Sequence, residues 1–236
     1  MSPRIHIVPI LQDNYCYVIE SADGKGIIID PGEAAPVQQF LKANDITPTL
    51  VLNTHHHGDH VAGNAAFNLP VGAPLAEMSK IPAATHGYKE GDVINENGVR
   101  LEVIETPGHT LGHIVFYAPE LSTLFSGDTL FSMGCGRLFE GTAADMFASF
   151  QKIKKLPVDT LVYCGHEYTL SNGNFAKHVE PDNAAVKDQI LHAQDLLAVG
   201  RPTIPVTLET ELKINPFLRA PSQNDFAELR LRKDKF

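Results

Sequence analysis

The feature that most constrains this chain is a run of four histidines and one aspartate within residues 54–60, which read Thr-His-His-His-Gly-Asp-His. The run follows directly on the apolar segment 49–53. Crowding or burying such side chains costs free energy unless they find partners. Imidazole and carboxylate are the ligands that suit zinc, iron and related divalent metals, so the run predicts a metal site.

The spacing within the run predicts two metal positions. In an extended segment His55 and His57 point the same way, and the histidine between them faces away. Gly58 permits a sharp turn, and a helix that starts near Asp59 and His60 would aim those two side chains at a second point. The alternative is a solvated histidine-rich loop or a tag remnant. It is disfavoured because tags lie at termini and lack a Gly-Asp-His continuation.

Length, net charge and apolar pattern argue against several classes of protein. The 236 residues suffice for one large domain, or for one ordinary domain with a small appendage. The formal net charge of -9 disfavours nucleic-acid binding. No apolar run approaches the roughly 20 residues that span a bilayer, and the N-terminus lacks the apolar core of a signal peptide. We expect a cytoplasmic monomer that binds neither membrane nor nucleic acid, with three reduced thiols at Cys16, Cys135 and Cys164.

The N-terminal half reads as strands with one intervening helix. Residues 5–11 and 16–20 are predicted strands, and Asp23-Gly24 is a hairpin signal before a third strand at 26–29. A helix with Val37, Phe40 and Leu41 on one face should precede the strand that delivers the histidines. Asn97-Gly98 is the strongest later hairpin signal.

Three later strands each end in Gly or Pro followed by an ionisable residue. The strands are 101–106, 123–126 and 161–164, and the residues are His109, Asp128 and His166. Sites form beyond the carboxyl ends of strands in sheets layered with helices. We therefore expect two ions, one held by His55, His57, His109 and Asp128, and the other by Asp59, His60, Asp128 and His166. Asp128 can bridge them because a carboxylate has two oxygens.

The C-terminal third reads as mostly helical. Thr142 should cap a helix whose apolar stripe includes Met146 and Phe150. After Tyr168 helices are predicted at 171–179, at 182–199 and from about 225. A domain boundary is therefore expected near Tyr168.

Two further features allow more than one interpretation. Arg230 and Lys233 share a helical face and could grip an anionic ligand, or could only complement the helix dipole. Asp30 could hydrogen-bond into the ligand shell and fix an imidazole, or could be an ordinary turn residue at a strand end. His113 could be a hydrogen-bonded core residue beside the site.

These motifs resemble the metallo-β-lactamase superfamily and, within it, the glyoxalase II (hydroxyacylglutathione hydrolase) family. The signature His-x-His-x-Asp-His and the later metal positions are met by His55, His57, Asp59, His60, His109, Asp128 and His166. The narrower match lies in residues 134–142, in 165–169 with Asn172 and Phe175, in 215–219, and in Arg230-x-x-Lys233-Asp234. The resemblance covers nearly the whole chain.

The resemblance implies an α/β fold, an αββα metallo-β-lactamase-type sandwich at residues 1–168, followed by a small α-helical domain at 169–236 that binds glutathione. It implies two divalent metals, with zinc first and iron or manganese as alternatives, bridged by Asp128 and a hydroxide. Asp59 and Asp128 would hold and orient that hydroxide. The implied glutathione-binding residues are Arg137, Phe139, Tyr168, Asn172, Arg230 and Lys233. Arg137 replaces the more common Lys, and Phe139 the more common Tyr.

The expected activity is hydrolysis of S-(2-hydroxyacyl)glutathione, with S-lactoylglutathione as the first substrate. Two cations lower the pKa of a bridging water towards ~7. A thiol leaving group with a pKa of about 8.5 departs with little need of a proton donor. The alternatives are a mononuclear-iron dioxygenase acting on glutathione persulfide, a β-lactam or lactone hydrolase, and a non-enzymatic metal-storing module.

Overall fold

The computed structural model describes residues 3–236, which form two compact units. The first unit holds the described residues up to Glu105 together with Gly112–Leu121. The second holds Thr106–Leu111 together with Ser122–Phe236. Each unit contains both strands and helices, in agreement with the predicted α/β class.

The main sheet of the first unit has six strands. They are β1 (Arg4–Ile10), β2 (Asn14–Glu20), β3 (Lys25–Ile29), β4 (Thr47–Leu52), β5 (Val71–Pro74) and β6 (His86–Tyr88). They lie in sequence order, antiparallel from β1 to β3 and parallel from β3 to β6. The predicted hairpin is confirmed, with Gly24 at a φ of 76°. β2 begins at Asn14, earlier than predicted, because that residue still pairs with Ile10.

Two α-helices lie between strands of this sheet in the sequence. The predicted amphipathic helix is α1 (Ala34–Ala43), which buries Val37 and Leu41 in an apolar cluster with strand side chains. The short helix predicted near Asp59 is α2 (Gly58–Val61), and it follows β4 after the histidine run. Strand, histidine run and helix therefore follow one another as the sequence indicates.

Three more strands of the first unit form an antiparallel ribbon. They are β7 (Val93–Glu96), β8 (Val99–Glu105) and β9 (Ile114–Ala118). The predicted turn between β7 and β8 is confirmed, because Asn97 and Gly98 both have positive φ angles, 51° and 76°. β9 was not predicted, since its five consecutive buried residues show no alternation.

The second unit contains five strands. They are β10 (Thr123–Gly127), β11 (Leu130–Phe131), β12 (Gly134–Cys135), β13 (Leu161–Cys164) and β14 (Val206–Thr207). β10 and β13 are parallel, so their carboxyl ends lie at the same edge. β14 runs antiparallel to β13, and β11 pairs with β12 in a tight hairpin. The predicted strands at 123–126 and 161–164 are confirmed.

Six helices complete the second unit. They are α3 (Ala143–Ile153), α4 (Thr169–Val179), α5 (Ala184–Ala198), α6 (Leu208–Ile214), α7 (Pro216–Arg219) and α8 (Gln223–Asp234). The predicted cap is confirmed, because the Thr142 hydroxyl accepts a hydrogen bond from the Asp145 amide. α6 and α7 were not predicted, since each is too short to show a clear period. The domain division at residue 168 stays a prediction.

The three cysteines are buried thiols outside any disulfide, as predicted. Burial raises the pKa of the Cys135 thiol to about 12. Burial also raises the pKa of Cys16 well above its ordinary range, with the nearby Asp30 carboxylate adding to the effect. Within residues 3–236, no helix combines the length and the apolar character needed to cross a membrane.

Candidate metal centre

The histidine run of the first unit is organised around the buried carboxylate of Asp30. Oδ1 accepts a hydrogen bond from the Thr54 amide at 2.8 Å, and Oδ2 accepts one from the Thr54 hydroxyl at 2.7 Å. Oδ2 also lies 3.0 Å from Nδ1 of His60. A carboxylate in this position assigns the proton of His60 to Nδ1 and leaves Nε2 with its lone pair, as in histidines that bind metals.

His55 and His57 converge on one point. Nε2 of His55 lies 3.0 Å from Nδ1 of His57, while Nδ1 of His55 contacts the Thr54 hydroxyl at 3.0 Å. That hydroxyl donates to Asp30, so it accepts from His55. Two imidazole nitrogens directed at one point suit a shared cation.

Asp59 and His60 form the other half of what we call the histidine cluster, which consists of His55, His57, Asp59 and His60. Oδ2 of Asp59 lies 3.7 Å from Nε2 of His60. The amide of Asn14 donates to Asp59 Oδ2 at 2.9 Å, so the first residue of β2 holds this carboxylate. Ligand atoms of His55 also lie within 4.8 Å of those of His57 and His60.

Backbone proximity also fixes this cluster. A Cβ added to Gly32 would lie 1.6 Å from the carbonyl oxygen of Asp59, so only glycine fits there. By contrast, a Cβ on Gly58 would meet nothing within 4 Å, and its φ is outside the left-handed region. The sequence pattern indicates a turn at Gly58, but the glycine that the geometry requires is Gly32.

Two further histidines lie beside the cluster without joining it. The buried His113 ring stacks on His55 with 4.9 Å between centroids. His56 directs Nδ1 at the buried carboxylate of Glu77, 3.0 Å away, whose other oxygen accepts from the Gly112 amide. His56 therefore has a carboxylate partner of its own, in keeping with its predicted orientation.

The second unit contains a separate group, the Asp128 cluster, which consists of His109, Asp128 and His166. Oδ2 of Asp128 lies 3.3 Å from Nε2 of His109 and 3.4 Å from Nε2 of His166. All three side chains are buried. Asp128 and His166 stand just after β10 and β13, whose parallel pairing brings the two residues together.

Main-chain contacts hold the Asp128 cluster. Nδ1 of His109 donates to the carbonyl of Arg137 at 2.8 Å, which leaves Nε2 directed at Asp128. A Cβ on Gly136 would lie 1.8 Å from the carbonyl oxygen of Asp128. Gly136 thus allows a close backbone approach, comparable to that of Gly32 in the first unit.

Three of the predicted glutathione-binding residues surround the Asp128 cluster. The Phe139 ring is 60% exposed and meets the His109 ring edge-on at 5.3 Å between centroids. The Arg137 guanidinium lies 5.9 Å from the Phe139 ring centre. Tyr168 stacks on His166 at 4.6 Å with the two planes 6° apart. Aromatic surface therefore covers two of the three members of the cluster.

The other three predicted glutathione-binding residues contact protein groups. Asn172 donates to the Ser132 carbonyl at 3.2 Å, and Arg230 donates to the Cys135 carbonyl at 2.7 Å. Arg230 is only 5% exposed and also pairs with Asp234 at 2.9 Å. Lys233 donates to the Ser171 carbonyl at 3.2 Å, between the rings of Phe175 and Phe236. Burial lowers the pKa of Lys233, and the nearby Arg230 adds to this.

The supporting residues Asn14 and Thr54 were not predicted from the sequence. In the sequence Asn14 reads as a turn residue, and Thr54 reads only as part of the histidine run. A polar residue at the start of an otherwise buried strand was the available signal for Asn14, because buried amides need partners.

Comparisons with known proteins identify the family. A profile described as Metallo-beta-lactamase superfamily matches residues 11–166, and one described as Hydroxyacylglutathione hydrolase C-terminus matches residues 167–236. A protein named hydroxyacylglutathione hydrolase from Xanthomonas euvesicatoria pv. vesicatoria is 45% identical, over 99% of each chain. The chain belongs to the hydroxyacylglutathione hydrolase family.

Solved structures with the metallo-β-lactamase fold agree with this family. The crystal structure of BLEG-1 B3 metallo-beta-lactamase has a TM-score of 0.71 at 25% identity, over 91% of this chain and 99% of that one. The crystal structure of ETHE1 from Myxococcus xanthus has a TM-score of 0.73 at 25% identity, over 98% and 90%. The predicted fold class is confirmed.

The donor set fits the metal that the superfamily's name implies. Three histidines each donate a hydrogen bond from Nδ1 to a protein oxygen, which leaves Nε2 as the atom that can bind a metal. They are His55, His60 and His109. Both clusters combine imidazole with carboxylate, the donors that zinc, iron and manganese accept. The chain therefore carries His and Asp groups suited to metal binding.

Proposed function

We propose that this protein hydrolyses S-(2-hydroxyacyl)glutathione thioesters, with S-lactoylglutathione as the first substrate, to glutathione and a 2-hydroxy acid. The observation that carries the proposal is the 45% identity to a named hydroxyacylglutathione hydrolase over 99% of both chains. The profile match at residues 167–236 adds support, because it concerns the part specific to this family.

We further propose that the histidine cluster and the Asp128 cluster ligate one pair of divalent ions, with zinc first and iron or manganese as alternatives. The superfamily profile spans residues of both clusters, which supports treating them as one centre. The proposed ligands are His55, His57, Asp59, His60, His109, Asp128 and His166. Such ions, when bound, supply Lewis acidity and lower the pKa of a coordinated water.

The protein's own groups have defined roles in this proposal. Asp59 and Asp128 accept hydrogen bonds from the attacking water and orient it. The water loses one proton to solvent as its oxygen attacks the thioester carbonyl and forms the new C–O bond. The C–S bond then breaks, its electron pair leaves with sulfur as the thiolate, and the 2-hydroxy acid loses its carboxyl proton to solvent. Because a thiol has a pKa of about 8.5, this leaving group needs little help from a proton donor.

The glutathione part is proposed to be held by residues of the second unit. The candidates are Arg137, Phe139, Tyr168, Asn172, Arg230 and Lys233. The rings of Phe139 and Tyr168 lie against His109 and His166, so a ligand on that aromatic surface would reach the Asp128 cluster. Lys233 supplies a half-buried cation for a carboxylate of the tripeptide. The division into a catalytic domain at 1–168 and a glutathione-binding domain at 169–236 is part of this proposal.

The decisive experiment follows the ultraviolet absorbance of S-lactoylglutathione with purified protein, before and after chelation and metal readdition. We expect absorbance to fall, chelation to stop the reaction, and metal to restore it. Metal analysis should give two ions per chain. Absence of thioester turnover by the metal-loaded protein would contradict the proposal.

Oxygen uptake with glutathione persulfide tests the dioxygenase alternative. A β-lactam and lactone panel tests the remaining enzymatic alternative, and lack of turnover with every substrate would favour a metal-storing role. The cytoplasmic location, the monomeric state, and the expected lack of membrane and nucleic-acid binding stay predictions.

A further inference from the structure

Side chains from the C-terminal helices make many of the hydrogen bonds that hold the hairpin formed by β11 and β12. We call residues 130–135 the β11–β12 hairpin. Four of its carbonyl groups accept hydrogen bonds from three side chains: Phe131 and Gly134 from Asn215, Ser132 from Asn172, and Cys135 from Arg230. A short two-stranded hairpin is marginal by itself, so these contacts decide its position.

Glu211 on α6 is the one acidic side chain in this set of contacts. Oε1 accepts from the Ser132 hydroxyl at 2.8 Å, and Oε2 accepts from the Met133 amide at 2.9 Å. Oε2 also accepts from the Asn215 side-chain amide at 3.0 Å. Glu211 is 0% exposed, and all three donors are neutral. Among residues 3–236 no cationic side chain pairs with Glu211, so its three hydrogen bonds are what offset the cost of burying it.

The hairpin that Glu211 holds contacts both parts of the proposed substrate site in the second unit. The Phe131 ring lies 5.3 Å from Tyr168 and 6.0 Å from His166, measured between centroids. At the other end of the hairpin, the Cys135 carbonyl fixes the guanidinium of Arg230. A shift of the hairpin would therefore move one aromatic and one cationic candidate for glutathione binding at the same time.

We propose that Glu211 is a positioning residue for the glutathione part of the substrate, acting through the β11–β12 hairpin on Tyr168 and Arg230. This inference rests on the proposed function. Glu211 touches no reacting atom, so its loss should weaken substrate binding more than it slows the bound substrate's reaction.

The bonding pattern explains why glutamine is the informative replacement for Glu211. In the Glu211→Gln variant, the carboxamide oxygen could accept from Met133 and Asn215, as Oε2 does now. The NH2 group of the new side chain could donate to the Ser132 hydroxyl, which can rotate to accept. Glu211→Gln thus preserves the three hydrogen bonds and removes only the charge, whereas Glu211→Ala removes all three.

Ionisation of Glu211 provides a second readout. Burial raises the pKa of Glu211 to about 7. The three hydrogen bonds act in the opposite direction and lower this pKa, but their effect is smaller than that of burial. Because the pKa is raised on folding above the ordinary 4.5, the folded state gains stability from the bound proton below pH 4.5, and loses it as pH rises through 7. The titratable group from another element within electrostatic reach is the Cys164 thiol of β13, neutral in this range because its pKa is about 12. On α6 itself, Glu209 pairs with Lys213 at the surface.

The test compares Glu211→Ala, Glu211→Gln and the surface control Glu209→Ala in the metal-loaded full chain. With S-lactoylglutathione, we expect Glu211→Ala to raise KM by about tenfold, the usual scale for losing hydrogen bonds to a charged group, with kcat within about twofold. Glu211→Gln should restore KM to within about twofold of wild type, and Glu209→Ala should change neither constant. Melting temperature followed from pH 5 to 8 should fall between pH 5 and about 7 in the wild type and level off above that. This contribution to the fall should be missing only in the two Glu211 variants.

Several outcomes would overturn the inference. One is an unchanged KM for Glu211→Ala. Another is a fall in kcat of Glu211→Ala as large as its rise in KM, and a third is a Glu211→Gln variant as impaired as Glu211→Ala. If Glu211→Ala fails to fold, Ser132→Ala removes one donor and should raise KM about threefold. Wild-type protein that turns over no thioester contradicts the proposed function, whereas active wild type together with a normal KM in Glu211→Ala contradicts this inference alone.

Discussion

The histidine cluster and the Asp128 cluster use the same ligand types but are held in different ways. In the first unit, side chains do the holding: Asp30 fixes His60, and Asn14 fixes Asp59. In the second unit, a main-chain carbonyl fixes His109. The first cluster also comes from one consecutive run, whereas the second combines three separate segments. Point substitutions can therefore remove the supports of the first cluster more easily than those of the second.

The largest effect should come from the carboxylate at the centre of the second cluster. Asp128→Asn replaces one oxygen by an NH2 group that would face His109 or His166 instead of a cation. We expect kcat/KM and metal affinity to fall by more than the roughly 10–100-fold typical of losing an outer partner. The exposed Asp159 gives the matched control, Asp159→Asn, which should behave as wild type. Full metal binding by Asp128→Asn would remove Asp128 from the ligand set.

In each cluster a glycine lies against the main-chain carbonyl of a proposed aspartate ligand, and substitution of these glycines tests whether both clusters need that space. Gly32→Ala and Gly136→Ala place a Cβ 1.6 Å and 1.8 Å from the carbonyl oxygens of Asp59 and Asp128. The backbone must move, and a displacement near 1 Å can cost about 10²-fold in rate. Gly58→Ala is the control, since its Cβ has open space. Steady-state kinetics in which Gly58→Ala is as damaging as the other two would contradict this account.

A smaller effect should follow from the side-chain support that only the first cluster has. In Asp30→Asn the remaining oxygen can still accept from the Thr54 amide, but an NH2 group replaces Oδ2. That NH2 group cannot accept the hydrogen bond from Nδ1 of His60. Metal affinity, measured by competition with a chelator, should fall by roughly 10–100-fold. Asp45→Asn is a close control because Asp45 is exposed and has a φ of 55°, near the 53° of Asp30. Equal affinities in the two variants would show that Asp30 is an ordinary turn residue.

The smallest effect should appear at the cap of α3, which lies outside both clusters. Thr142→Ala removes the capping box with Asp145 and should lower the free energy of unfolding by about 0.5–2 kcal/mol, leaving kcat/KM unchanged. The Thr142 hydroxyl and amide lower the pKa of Asp145, so its contribution is present above the ordinary pKa of 3.8 and is lost as pH falls through the lower folded value. Urea unfolding at pH 7 and pH 3 should therefore show a smaller difference between variant and wild type at pH 3.

How much the sequence reveals depends on how local each feature is. The histidine cluster was readable because its ligands share one strand-turn-helix segment, and strand alternation alone separates His56 from its neighbours. The strand-end positions of His109, Asp128 and His166 were also predicted.

The supports of these ligands were harder to predict because they depend on pairing across long sequence separations. Asn14 reads as a turn residue until β1 and β2 are paired. Glu211 reads as one of several surface glutamates on a short, unpredicted helix, and only the fold shows that it is buried against Ser132 and Met133. Charge and helical spacing alone could not show that Arg230 is buried against a carbonyl.

The buried thiols have a consequence for a protein proposed to release glutathione at every turnover. Thiol–disulfide exchange requires an accessible thiolate, and a cysteine with a pKa near 12 is almost wholly protonated at neutral pH. Cys135 lies within the hairpin beside Arg230, yet both its burial and its protonation protect it from oxidised glutathione. The protein should therefore resist glutathionylation when oxidised glutathione accumulates.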